Sequence, residues 1–86
     1  MFLHLGRDTI VSDTSIVGIF DLDTSTGSRH TQAFLKTAER EGRVINVTNE
    51  LPKSAVLCLE EGRASVYLSQ LSTQTLHKRA QQISYE

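Results

Sequence analysis

Three histidines, one cysteine and ten carboxylates are the groups in this chain that could perform acid–base, nucleophilic or metal chemistry. His4, His30 and His77 are far apart, and none has a second histidine or a cysteine at i+2 or i+4, the spacings that build a metal site on one element. No pair of carboxylates is spaced to mark a cleft for general acid and base. Cys58 sits inside the apolar run "AVLCL", where a buried, inert thiol is expected rather than a nucleophile. No glycine-rich phosphate loop is present. An enzyme is therefore not expected, nor a cofactor. Catalysis would require the fold to gather His4, Cys58 or the aspartates into one pocket.

The remaining chemistry is that of fixed positive charge. The net charge of −1 hides an uneven distribution: −3 over residues 1–23, +2 over 29–43, −1 over 44–69 and +1 over the tail. Arg29, Lys36, Arg40 and Arg43 follow one another by seven, four and three residues, which on a helix is one stripe. Lys36 and Arg40 repel at i,i+4, and Arg29 and His30 stand at the helix start, where the dipole disfavours cations. Each misfit costs a few tenths of a kcal/mol, up to about 1 kcal/mol. A phosphate backbone lying across the stripe would explain them. So would a solvated face softened by a Glu39–Arg43 pair. His77-Lys78-Arg79 lies in the last turns of a second helix, where cations suit the dipole, so binding there is permitted rather than required.

These residues must be held by a single domain, 1–86, with room for one modest core. One cysteine excludes an internal disulfide and a cysteine-rich zinc site, which leaves self-association as the natural reinforcement for so short a chain. No apolar run is long enough to span a membrane, and the start "MFLHLGRDTIV" does not read as a signal peptide, so a cytoplasmic protein with a reduced thiol is expected.

Phe2–Leu5 and Thr9–Val11 read as short strands around the turn Gly6-Arg7-Asp8. "SIVGIFDL", residues 15–22, is apolar on nearly every position, which predicts burial on both faces or a subunit contact. "DTSTGS", residues 23–28, is a turn cluster. A helix is expected over 29–41, with Thr31, Phe34, Leu35 and Ala38 on one face and Gly42 just past its end. Strands follow at 44–47, 55–59 and 64–69, the last two joined by Glu60-Glu61-Gly62 as a hairpin. Ser72 is the N-cap of a short helix reaching about Gln82, with Leu71 and Leu76 at the spacing of a hydrophobic staple. "NELPKSAVLCL", residues 49–59, holds the chain's one proline, which primes a turn and leaves Lys53 either as a turn residue or as a grip on a partner. The order of elements predicts an α+β domain on a small, largely antiparallel sheet, with one central helix and a short C-terminal one.

"HLG" at 4–6, "IVS" at 10–12, "IVGIFD" at 16–21, "PKSAV" at 52–56 and "YLSQLSTQTLHKRAQ" at 67–81 together resemble the small bacterial extracellular matrix regulators, the RemA/RemB family, and above all its RemB-like branch. The similarity runs from Met1 to about Ile83 and is least distinctive over residues 23–43. It implies a LytTR-like fold, ring-like self-assembly and a DNA-binding transcriptional regulator of biofilm matrix genes. Members of the RemA type carry arginines in the loop before the central strand and at the start of the "IV.I" strand. Here those positions are Leu51, Pro52 and Ser54, with Lys53 the one cation beside them, and Ser15. Lys78 and Arg79 match the branch's own "L.KRAQ" pattern.

Two functions follow as expectations. The first is an oligomeric regulator gripping duplex DNA by its phosphates through Lys53, Lys78 and Arg79, together with the Arg29–Lys36–Arg40–Arg43 stripe, salt-sensitively and with weak sequence preference. Weak contacts repeated around an assembly would sum to useful affinity. The second is an interaction or scaffold module that has lost its own DNA grip, which the near-neutral charge and the missing arginines favour.

Overall fold

The computed structural model describes residues 2–22, 29–48 and 50–84. Six strands and two helices follow in the order β1 (Phe2–Gly6), β2 (Thr9–Ser12), β3 (Ile16–Asp21), α1 (Arg29–Arg40), β4 (Val44–Asn46), β5 (Ser54–Glu60), β6 (Arg63–Ser69) and α2 (Thr73–Ser84), with one 3-10 turn at Asp13–Ser15. This is a mixed α+β fold. The expected turn at Asp23–Ser28 and the Thr31 side chain lie outside what is described.

Two sheets form where one was expected. β1 and β2 pair by themselves as a hairpin, and β3-β5-β6-β4 make a four-stranded sheet. Every pairing is antiparallel except β4 with β6, which run parallel. β5 meets β6 across a two-residue loop in which Glu61 (φ 51°) and Gly62 (φ 78°) both take left-handed backbone, so the loop twist matches the strands.

The pleat of the central strands decides the rest. Val56 and Cys58 of β5 face one side, where Leu3, Leu5 and Val11 of the hairpin and Leu76 of α2 complete a core. Ala55 of β5 and Val66 of β6 face the other side, and Leu22 and Ala38 close a second core there, with Phe34 and Leu35 packed against it. α1 touches β4 and β6, while α2 touches β1 and β3. The two helices therefore lie on opposite faces of one sheet.

Local chemistry ends each helix as its sequence predicts. At the end of α1 the Arg43 N–H donates to Ala38 O (2.8 Å) and the Gly42 N–H to Glu39 O (3.1 Å), with Gly42 at φ +72°. Those are the two bonds of a Schellman cap, which needs the left-handed residue that glycine supplies without strain. At the start of α2 the Thr75 N–H donates to Ser72 Oγ at 3.1 Å, while Leu71 packs on the core that Leu76 enters.

Two fully buried serines stitch the first core. Ser69 Oγ donates to Leu5 O (2.6 Å) and accepts from the Leu71 N–H (3.1 Å), joining the hairpin and the α2 approach to β6. Ser54 Oγ donates to Leu71 O at 2.8 Å. Removing the Ser69 hydroxyl would strand the buried Leu5 carbonyl, at about 1–3 kcal/mol, and free the part-buried Leu71 amide at a smaller cost. That is a large share of a small domain's stability.

β3 departs from the expected burial on both faces. It is an edge strand, bulged between Ile16 and Gly18, and it is not buried on both faces. Ile16 and Ile19 pack on the first core, but Val17 is 62% exposed and Phe20 38%. Its continuous apolar run thus does not mark a central strand.

Cys58 is fully buried, as its setting predicted. Burial pushes its thiol above its ordinary 9.0; a hydrogen bond with the Ser15 side chain opposes the rise and the nearby Glu60 charge adds to it. A raised folded-state value means the unfolded chain ionises first. Stability from the protonated thiol is complete below the unfolded value and is lost as pH rises through the folded one. Iodoacetamide at pH 8 should leave Cys58 unmodified in the folded protein and label it fully in denaturant. Rapid labelling without denaturant would contradict this burial.

Candidate nucleic-acid interface

The helices of this protein are basic and the rest of it is acidic. α1 carries Arg29, Lys36 and Arg40 against Glu39, and α2 carries Lys78 and Arg79 with no carboxylate at all. Each helix is therefore +2, and the remaining residues hold four cations against nine carboxylates, or −5. Composition alone conceals this segregation behind a total of −1.

On α2, Leu76 points into the core, so the residues that follow it turn outward. His77 and Lys78 are exposed. Arg79 is half-buried and its Nη1 donates to His4 O at 3.1 Å. Part of its guanidinium thus fastens α2 to β1, while its other N–H groups remain for a ligand. His4 is itself bound to the Arg7 carbonyl through Nε2. Arg79 is in this respect a structural residue as well as a candidate contact, which its neighbours in sequence could not reveal.

Lys53 lies at the head of β5. Its N–H donates to Ser69 O (2.8 Å) and its carbonyl accepts from the Leu22 N–H (3.0 Å), so the backbone is locked between β3 and β6. The side chain is exposed. The loop is both the structural turn and a rigid mount for one cation. It stands at the end of the sheet where β6 passes into α2, because Ser54 Oγ reaches Leu71 O there. Next to it Leu51 is 86% exposed, an apolar side chain standing in water at a loop surface.

The stripe on α1 is shorter than expected. Arg29, Lys36 and Arg40 are exposed and make no hydrogen bond or ion pair with other described residues. Arg43 is not part of it. The Schellman cap turns the chain after Arg40, and Arg43 instead pairs with Glu41 (2.6 Å) and donates to Ala64 O (3.2 Å). The Glu39–Arg43 pair is thus replaced by Glu41–Arg43. A single cationic face uniting the stripe with Lys78 and Arg79 is also ruled out within one subunit, because the sheet stands between the two helices.

An apolar cavity of about 210 Å³ between α1 and the sheet is lined by Phe20, His30, Phe34, Leu35, Ala55 and Val66. A polar one beside the β5–β6 loop is lined by Arg43, Glu60, Glu61 and Arg63 among others. Neither holds His4, Cys58 or an aspartate. Among the described residues no cluster of three or more His, Cys, Asp or Glu could hold a metal, and no helix is long and apolar enough to cross a membrane.

Comparison with known proteins agrees with the resemblance in the sequence. Extracellular matrix regulatory protein B of Bacillus subtilis (strain 168) is 41% identical over 81 residues, covering 94% of this chain and 91% of that protein. The model of a family described as extracellular matrix regulatory protein A-like matches residues 2–80. That is a family of regulatory proteins and not of enzymes. With nearly all of both proteins aligned, the chain belongs to the RemA-like family of extracellular matrix regulatory proteins and is RemB-like within it.

Proposed function

We infer that this protein is a cytoplasmic DNA-binding transcriptional regulator of extracellular matrix genes and acts as a self-assembled oligomer. One observation carries the reading: α2 offers an exposed cationic surface with no carboxylate in it, on a protein whose residues outside the two helices are net acidic. Lys78 and the free part of Arg79 meet phosphate oxygens, and Lys53 adds a third contact from its locked loop. Such contacts position a duplex without reading its bases, so affinity rests on counterion release.

Three cations are too few for tight binding by one subunit, and assembly multiplies them. β3 is the edge through which copies meet. It offers unpaired backbone and the exposed Val17 and Phe20, a combination that invites another chain. Ile19 is unsuited to testing this, since it packs on the core. Val17→Asp should give a folded protein of lower mass by light scattering; an unchanged mass would remove β3 from the interface.

A second reading keeps the assembly and drops the DNA. Leu51, exposed where arginines would strengthen a phosphate grip, suits a protein contact, and the chain would then be a scaffold for a partner. Duplex binding decides between them. Gel shifts at two salt concentrations should show binding that weakens steeply with salt. Lys53→Glu with Lys78→Glu should flatten the salt slope by roughly two contacts per engaged subunit, about 0.9 each. Arg79 is left intact because its removal would also unfasten α2. No binding even at low salt would favour the scaffold, and unchanged affinity in the double variant would defeat the site.

A further inference from the structure

We propose that the exposed stripe Arg29, Lys36 and Arg40 on α1 is a second duplex-binding surface, so that one subunit bridges two DNA segments, one on each side of its sheet. The proposal rests on the reading of α2 as a DNA contact and extends it to the opposite face.

α1 has little acidic charge to offset its cations. Solvated basic helices ordinarily interleave carboxylates at i,i+4, and this one does not: Arg29 has Ala33 there and Lys36 has Gln32 and Arg40, with Glu39 at i+3 from Lys36 as the one acidic neighbour, while Arg43 pairs with Glu41 beyond the helix. Glu39 is the helix's one acid, and no carboxylate stands in its first turn, where the dipole would favour one. Seven- and four-residue steps keep the three cations within an arc of roughly 40° and spread them over about 16 Å of helix axis. A row of phosphates is a ligand of that length and charge.

The same segregation argues against other occupants. A second copy presenting a helix would bring like charge to like charge, since α2 is +2 as well. Among the described residues no carboxylate except Glu39 stands on either helix.

Two separated surfaces mean two segments. The sheet and its two cores lie between α1 and α2, and the domain measures 37 × 28 × 23 Å. A duplex lying on α2 would have to bend around the whole subunit to reach α1. DNA with a persistence length of about 150 bp does not do that over so short a path.

The test uses a duplex fixed on beads and a fluorescent duplex free in solution, with anisotropy measured separately on single duplexes. The wild-type protein should carry the free duplex onto the beads. Lys36→Glu with Arg40→Glu should keep at least half of the single-duplex affinity and lose tenfold or more of the capture. Lys36→Gln with Arg40→Gln, checked by circular dichroism, provides a milder pair and should lower capture in the same direction. Capture undiminished in both variants would overturn the proposal, leaving bridging to α2 surfaces of different subunits or α1 to an acidic protein. Wild-type protein that binds one duplex but captures no second would overturn it while sparing α2. Failure to bind any duplex at low salt would defeat the reading of α2 and this proposal together.

Discussion

The pleat of β5 is the constraint on which this structure depends. Successive side chains of a strand must point to opposite faces, and β5 is apolar on both, so each face requires its own cover. Val56 and Cys58 are covered by the hairpin and α2, and Ala55 by α1. A chain of 86 residues thus divides its apolar side chains between two thin cores instead of filling one. That division leaves the first core thin, and the hydroxyls of Ser54 and Ser69 add polar ties to Leu71 O and Leu5 O beside its apolar contacts. It also explains why the cations separate. Once α1 and α2 are assigned to different faces, so are their charges.

Much of this was legible in the residues. The hairpin at Glu60-Glu61-Gly62, the cap at Ser72 and the left-handed Gly42 are local events, settled within four or five residues by turn chemistry. The inert Cys58 followed from its apolar neighbours. What did not show were the long-range pairings. Nothing in "VIN" tells a strand to run parallel to one twenty-two residues further on, and nothing in "FLHLG" says that it will pair with its neighbour alone, outside the main sheet. The continuous apolar pattern of "SIVGIF" signalled burial on both faces or a subunit contact, and such a pattern does not distinguish a central strand from the edge strand that β3 is.

The cationic residues divide in the same way. Lys53 and Lys78 stand exposed as their surroundings in sequence suggested. Arg43 fell off the stripe because a helix cap intervened, a matter of one glycine. Arg79 acquired a second duty because β1 happens to offer the His4 carbonyl within reach, seventy-five residues away. Family membership and charge segregation are independent of one another: the first makes the chain a RemA-like regulatory protein, and the second puts its excess of cations on helices braced by a two-sided sheet.

The opposed placement of the two basic helices can be measured directly. Spin labels on Lys36→Cys and Lys78→Cys, with Cys58 left buried and unlabelled and the labelled protein diluted in unlabelled copies, report the distance between the two faces by dipolar spectroscopy. With a sheet between helices, each layer spaced by about 10 Å, the labels should lie roughly 25 Å or more apart. A distance under about 15 Å, as for helices packed side by side, would contradict the two-sided architecture and the separation of charge drawn from it.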